Sequence, residues 1–266
     1  MLAYNHRWGD FGWDTSFTYS TNKNEIVELV RNYVHPETGV IYNVDKLELK
    51  TNEGRGFGKA KFILKEGGTL GDLYTHADLK RDINGNVLID DDGNVTAVDN
   101  AGDIKLGSVL PKANLAWNNS FTYKGINAGF LVTARLGGIV YSATQAYLDL
   151  YGVSETSAAA RDAGGVWVND RSQVNPQSFY SVVASQSGLP TYYTYSATNV
   201  RLQEAHIGYT IPRRWLGNVC DINVSLVGRN LWMIYCKAPF DPEAVATTNN
   251  YYQGIDYFMM PSTRNI

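Results

Sequence analysis

Hydrophobic and polar residues alternate with period two along several long stretches of the chain. Phe11, Trp13, Thr15, Phe17 and Tyr19 fall on one side of an extended segment, with Gly12, Asp14, Ser16, Thr18 and Ser20 on the other. Leu115, Trp117, Phe121 and Tyr123 repeat the pattern against Asn114, Asn118, Ser120 and Thr122. Ile126, Ala128, Phe130, Val132, Ala134 and Leu136 continue it, followed by Ala205, Ile207, Tyr209 and Ile211, and then by Ile222, Val224 and Leu226. Such alternation is the signature of β-strands with two unlike faces. It predicts about seven strands, over 8–20, 57–66, 111–123, 126–137, 199–211, 221–232 and from about 256. The polar face is small and uncharged and the apolar face is aromatic. That combination suits a wet lumen and a lipid exterior at least as well as a soluble sandwich.

The connections point the same way. Lys124-Gly125 joins two strands tightly, Asn22-Lys23-Asn24 follows another, and 212–218 (PRRWLGN) is brief. The alternate connections, roughly 77–110, 138–198 and 233–256, are far longer. Short turns at one end and long loops at the other are the pattern of an outer-membrane barrel. Loops of that length count against an ordinary soluble domain. Within them, 154–165 (SETSAAARDAGG) predicts a short helix ending near Asp162 and Gly164-Gly165.

Composition adds less. Apolar residues make 44% of the chain, the mean hydropathy is −0.26 and the net charge is −3. None of these separates a soluble β protein from a barrel, and the absence of a basic excess gives nucleic-acid binding no support. The 18 Tyr, 9 Phe and 6 Trp suit two aromatic girdles, although composition alone favours a Tyr-rich soluble sandwich or a carbohydrate-binding surface. No run approaches the ~18 to 20 apolar residues of a membrane helix. Met1-Leu-Ala-Tyr-Asn lacks the basic start and apolar core of a signal peptide, so the expectation for an outer-membrane protein is a start upstream of this sequence.

Catalytic chemistry finds little footing. No GxSxG, HExxH, P-loop or dinucleotide fingerprint is present, and His6, His35, His76 and His206 have no ligand spacing. Asp90-Asp91-Asp92 and Asp241-Pro242-Glu243 invite a glycosidase reading, but that reaction needs two carboxylates at a fixed separation across a cleft. Asp82, Asn84, Asn86, Asp90 and Asp92 resemble a calcium loop, yet the glycine and glutamate positions of an EF-hand are wrong. Asn84-Gly85 and Asp92-Gly93 predict turns instead. Cys220 and Cys236 flank a strand whose ends lie roughly 35 Å apart, so free thiols are expected. No catalytic residue, cofactor or metal is expected. Tyr192, Tyr193, Tyr195, Tyr251 and Tyr252, set among Asn and Gln, are the candidate substrate-binding residues. Flat faces beside amides suit sugar rings or peptide backbones. The alternative is that these tyrosines form a girdle or pack loops together.

The C-terminal run GRNLWMIYCKAPFDPEAVATTNNYYQGIDYFMMPSTRNI (228–266) closely resembles the end of SusC/RagA-type TonB-dependent transporters. So do GRGFGKAKFILKEGGTLGDLYT (54–75), residues 111–142, YGVSETSAAARDAGGVWVN (151–169) and residues 195–217. The resemblance implies that 1–266 is the C-terminal part of an antiparallel transmembrane β-barrel of about 22 strands, all-β, incomplete and open in this chain. The plug domain, the TonB-contact segment and the closing strand would lie outside it. It further implies a Gram-negative outer-membrane receptor importing oligosaccharides or peptides. The implied partners are the lipid bilayer, the TonB complex and a SusD-like surface lipoprotein. Two other readings remain: a secreted or periplasmic β-rich carbohydrate-binding module, and a fragment of a glycan-active enzyme.

Overall fold

A computed structural model describes residues 1–49, 59–245 and 253–266. Its largest element is a six-stranded antiparallel sheet of β1 (Leu2–Trp8), β2 (Phe11–Ser20), β3 (Ala113–Tyr123), β4 (Ile126–Leu136), β5 (Asn199–Ile211) and β6 (Ile222–Cys236). Spatial order equals chain order, so the sheet is a meander with β1 and β6 as its edges, open rather than closed. The last five strands run 10 to 15 residues. A tilted strand needs ~9 to 11 to cross a bilayer. All three tight connections lie at one end. They are Gly9-Asp10, Lys124-Gly125 and residues 212–221. Lys124 and Gly125 both have positive φ (47° and 90°), the geometry a two-residue hairpin turn demands.

The register puts the aromatic positions together. Phe17 faces Trp117 and Trp13 faces Phe121, while Ala128 continues that row to Ile207 and on to Leu226. Trp13, Phe17, Trp117, Phe121, Ile207 and Ile222 therefore share one face, as the alternation predicts. Among the described residues no second sheet covers it: Ile207 is 58% exposed, Leu226 59% and Trp232 60%. Phe11 and Tyr123 mark the row nearest the turns, and Tyr19 and Tyr235 stand near the other end. The eight residue steps from Phe11 to Tyr19 span roughly 27 Å, close to the ~25 Å apolar band of an outer-membrane barrel. Midway, Thr15 and Asn119 oppose each other on this face. Their polarity is answered by tryptophans. Trp117 Nε1 donates to Thr15 Oγ1 at 3.1 Å and Trp13 Nε1 to Asn119 Oδ1 at 3.2 Å.

The strand assignments shift in four places. Residues 8–20 form two strands with a turn between them. The segment 57–66 contributes no wall strand. Instead Ala60–Lys65 lies in a separate four-stranded sheet with Lys46–Leu49, Asp72–Thr75 and Ile104–Ser108. Residues 22–24 are not a turn but the start of a connection running over 21–112 between β2 and β3. The strand expected from 256 is the two-residue Ile255–Asp256, paired in parallel with Ile139–Ser142. Only Asn265 bridges to the β6 edge, at Arg229.

The buried core lies in the long connections, not in the sheet. Phe62, Leu73, Val109, Tyr141, Leu189 and Ile255 are within 1% of full burial and belong to one cluster. Three helices brace it: α1 (Ala143–Leu150), α2 (Glu155–Asp162) and α3 (Pro176–Val183). Their N-caps are Ser142, Ser154 and Asn175, whose side chains accept from the first-turn amides. Asp82 and Asp90 each close a turn, accepting at Oδ1 from Asn86 N at 2.8 Å and Asn94 N at 2.7 Å. The connections also bind one another. Asn169 exchanges two hydrogen bonds with the Val87 backbone at 2.9 and 2.8 Å, and Thr191 Oγ1 donates to Asp78 Oδ1 at 3.0 Å. They form a cap over the loop end of the sheet.

Two outcomes follow from an uncovered apolar face. The chain is expected to aggregate in plain buffer and to be monodisperse only with detergent or lipid, as checked by light scattering. Ile207→Arg is expected to destabilise the lipid-embedded protein by roughly 2 kcal/mol or more in urea unfolding, whereas Ser225→Lys on the opposite face costs little.

Candidate functional site

The polar face meets the cap in a cleft of about 430 Å³, lined by Thr18, Ser20, Asn114, Thr133, Arg135, Gln203 and Glu243 among others. All the wall residues of the sheet but Gln203 arrive by strand alternation. Asn114 faces Ser20 across the β2–β3 pair, and Arg135 faces Asn114 on one side and Asn199 on the other. Gln203 arrives by a bulge. Leu131 pairs with Glu204 and Val132 with Leu202, which leaves Gln203 as the extra residue of β5. A bulge re-aims a side chain and frees it from the ladder.

The electrostatics of the rim centre on Arg201, which is 5% exposed. Its guanidinium forks onto Asp241, Nη2 to Oδ1 at 2.8 Å and Nη1 to Oδ2 at 3.2 Å, and lies 3.2 Å from Glu243 Oε2. Asn199 joins them, accepting from Arg201 Nε at 3.3 Å and donating to Glu243 Oε1 at 3.2 Å. Burial pushes the Asp241 carboxyl up, but the Arg201 fork, the Glu243 amide and the Ser262 hydroxyl outweigh it and hold the group below the usual carboxylate range. Arg135 Nη2 donates to the Val109 carbonyl at 2.8 Å. The cleft thus offers hydroxyls, two amides and a fixed guanidinium. With the Glu243 carboxylate, which also lines the cleft, this set suits polyhydroxy or amide-bearing ligands. Asp241 and Glu243, the pair that invites a glycosidase reading, are both engaged by Arg201.

The sequence-derived tyrosines separate. Tyr193 is a core residue, 2% exposed, and its hydroxyl donates to Asp149 Oδ2 at 3.0 Å. Burial and the neighbouring Asp149 push its phenol far up. Tyr192 packs edge-on against Phe179 of α3 at 6.1 Å, half-buried. Tyr195 stands edge-on to Phe240 at 5.6 Å, next to the Asp241 rim of the cleft. Its phenol is pushed up to about 12, first by burial and then by Asp149. Tyr251 and Tyr252 lie outside the described residues. Arg135, Gln203 and Asn114 were missed by a search for aromatic loops. An arginine on the polar side of an alternating strand was the available signal for the first, whereas no local pattern announces the bulge at Gln203.

No protein-family model matches the chain. A curated relative, TonB-dependent receptor P3 of Formosa agariphila, is 25% identical over 280 residues, covering 96% of this chain and 26% of the relative. Two solved structures share the fold over 98% of this chain and 27% of theirs at 15% identity. They are the RagAB peptide importer in the closed-closed state (TM-score 0.61) and the RagAB peptide transporter (TM-score 0.62). The chain spans about a quarter of the length of these relatives. The resemblance to TonB-dependent transporters of the SusC/RagA type is borne out, and these proteins are receptors and transporters rather than enzymes.

The cap is expected to keep constant stability from pH 8 to about 4 and to lose it below. Asp241 and Asp72 are both held low. For Asp72, burial raises the group but Lys105 at 2.5 Å and Thr69 outweigh it. A depressed carboxyl contributes stability above its unfolded value of ~3.9 and loses it as pH falls through the folded value. Arg201→Gln is expected to cost roughly 3 kcal/mol at neutral pH. It also inverts the trend, because a buried Asp241 without its counter-charge is relieved by protonation. Thermal melts of wild type and variant across pH read both effects.

Proposed function

We propose that residues 1–266 are the C-terminal part of the barrel wall and extracellular cap of an outer-membrane TonB-dependent receptor. The plug, the TonB-contact segment and the strands that close the barrel lie elsewhere in the receptor. The observation that carries this reading is the meander whose tight turns share one end, whose cap fills the other, and whose aromatic face has no protein covering. The similarity to TonB-dependent receptor P3 and to the RagAB structures supports it. The substrate is an oligosaccharide or a peptide, since the cleft below the cap presents hydroxyls, amides and one guanidinium. A SusD-like surface lipoprotein closes over the cap, and TonB acts through the missing part.

Tyr192 and Tyr195, with Tyr251 and Tyr252, contribute to substrate capture from loops on a rigid scaffold. Tyr193 anchors the cap through Asp149. In the full receptor, replacing Tyr192, Tyr195, Tyr251 and Tyr252 by Ala is expected to lower uptake roughly fivefold or more. Barrel assembly, followed as heat-modifiable gel mobility, stays intact. Tyr193→Ala instead makes the cap protease-sensitive. Normal uptake with all four tyrosines removed would reduce them to packing residues.

A further inference from the structure

A second cleft lies on the cap, away from the sheet. It measures about 380 Å³ and is walled by the end of α1, by α2 and by the start of α3. Arg161 projects into it from the last turn of α2. Among the described residues no carboxylate lies within 4 Å of its guanidinium, and its hydrogen bond is a long one, Nη1 to Ser157 Oγ at 3.5 Å. Asp149 lines the same cleft but is already engaged. Its Oδ1 accepts from Ser154 Oγ and Gln145 Nε2, its Oδ2 from Tyr193, and it is 4% exposed. The charge on Arg161 is therefore left to the open side.

The glycine after α1 makes room for it. Gly152 has φ +67°, and a Cβ there would sit 2.9 Å from Arg161 Nη1. Beside it Tyr151 is 75% exposed, and Gln177 also lines the cleft. A cation in the last turn of a helix favours the helix dipole. That accounts for an arginine in α2, and the left-handed cap that ends α1 accounts for the glycine; neither accounts for the bare aromatic ring next to them.

We propose that this cleft binds an acidic sugar residue, with its carboxylate on Arg161 and its ring against Tyr151. A guanidinium matches a carboxylate in shape and charge. The volume is near the lower end for small-molecule sites and fits one sugar ring. The assignment does not rest on transport, since it concerns capture on the outer surface of the cap.

The test titrates the detergent-folded protein with glucuronate, glucose and acetate by calorimetry. Glucuronate is expected to bind at least about tenfold more tightly than glucose, the worth of one charge-assisted contact, and more tightly than acetate. Arg161→Gln abolishes the preference for glucuronate over glucose, and Arg161→Lys restores part of it. Tyr151→Ala weakens glucuronate. Equal binding of glucuronate and glucose by the wild type overturns the proposal, as does a preference that survives Arg161→Gln. Acetate binding as tightly as glucuronate overturns the sugar and leaves a bare carboxylate site, such as one for a peptide terminus.

Discussion

The structure depends on a sheet that has nothing on its apolar side. Six strands pair their inner backbone groups and present Trp13, Phe17, Trp117, Phe121 and Ile207 outward with no protein layer against them. In water such a face would be covered or would aggregate. In hydrocarbon it is already satisfied, but then unpaired backbone groups become intolerable, which is why lipid admits closed barrels and not open sheets. Among the described residues the edges at Leu2–Trp8 and Ile222–Cys236 are open, apart from the bridge of Arg229 to Asn265 and the hydrogen bond from Asn230 to the Thr263 carbonyl. The face and the edges together are what the proposed larger ring would satisfy.

The same constraint explains where the core went. In the proposed barrel, a wall one strand thick, with lipid on one side and a polar lumen on the other, has no interior to fill. The buried side chains therefore collect in the connections, around Phe62, Leu73, Tyr141 and Leu189. That cap is tied to the sheet by a few strong polar contacts. Arg201 holds Asp241 and Glu243, and Arg135 holds the Val109 carbonyl. The cleft with Gln203 and Asn114 exists because these ties span the join rather than sealing it.

Much of the wall was legible because period-two alternation is a local signal and the faces differ so sharply. β2 to β6 could be read to within a few residues, and so could the face shared by their aromatics. The signal failed where local pattern and tertiary role part. Residues 60–65 alternate less than they are buried, with Ala60, Phe62 and Ile63 all in the interior, so a cap strand passed for a wall strand. Asn22-Lys23-Asn24 has turn chemistry but opens a connection of many elements. Tyr193 looked like its neighbours Tyr192 and Tyr195. Only the position of Asp149, far off in sequence, makes it a core residue. The N-caps Ser142 and Asn175 were in plain view, and α1 and α3 could have been marked from them.

The position of the tight turns has a consequence for the order of assembly. β3 and β4 are joined by Lys124-Gly125, so their pairing closes almost no chain, and the β1–β2 hairpin is equally local. The contact of Phe17 with Trp117 is different, because the whole of residues 21–112 intervenes. Loop-closure entropy must be met before that pairing returns anything. The hairpins are thus the early, self-sufficient units, and β2 meets β3 late. The collapse of the intervening connection onto Phe62 and Leu73 shortens the effective loop. The connection that forms the cap in the finished protein would in this way act during folding as the clasp that brings two distant hairpins into register.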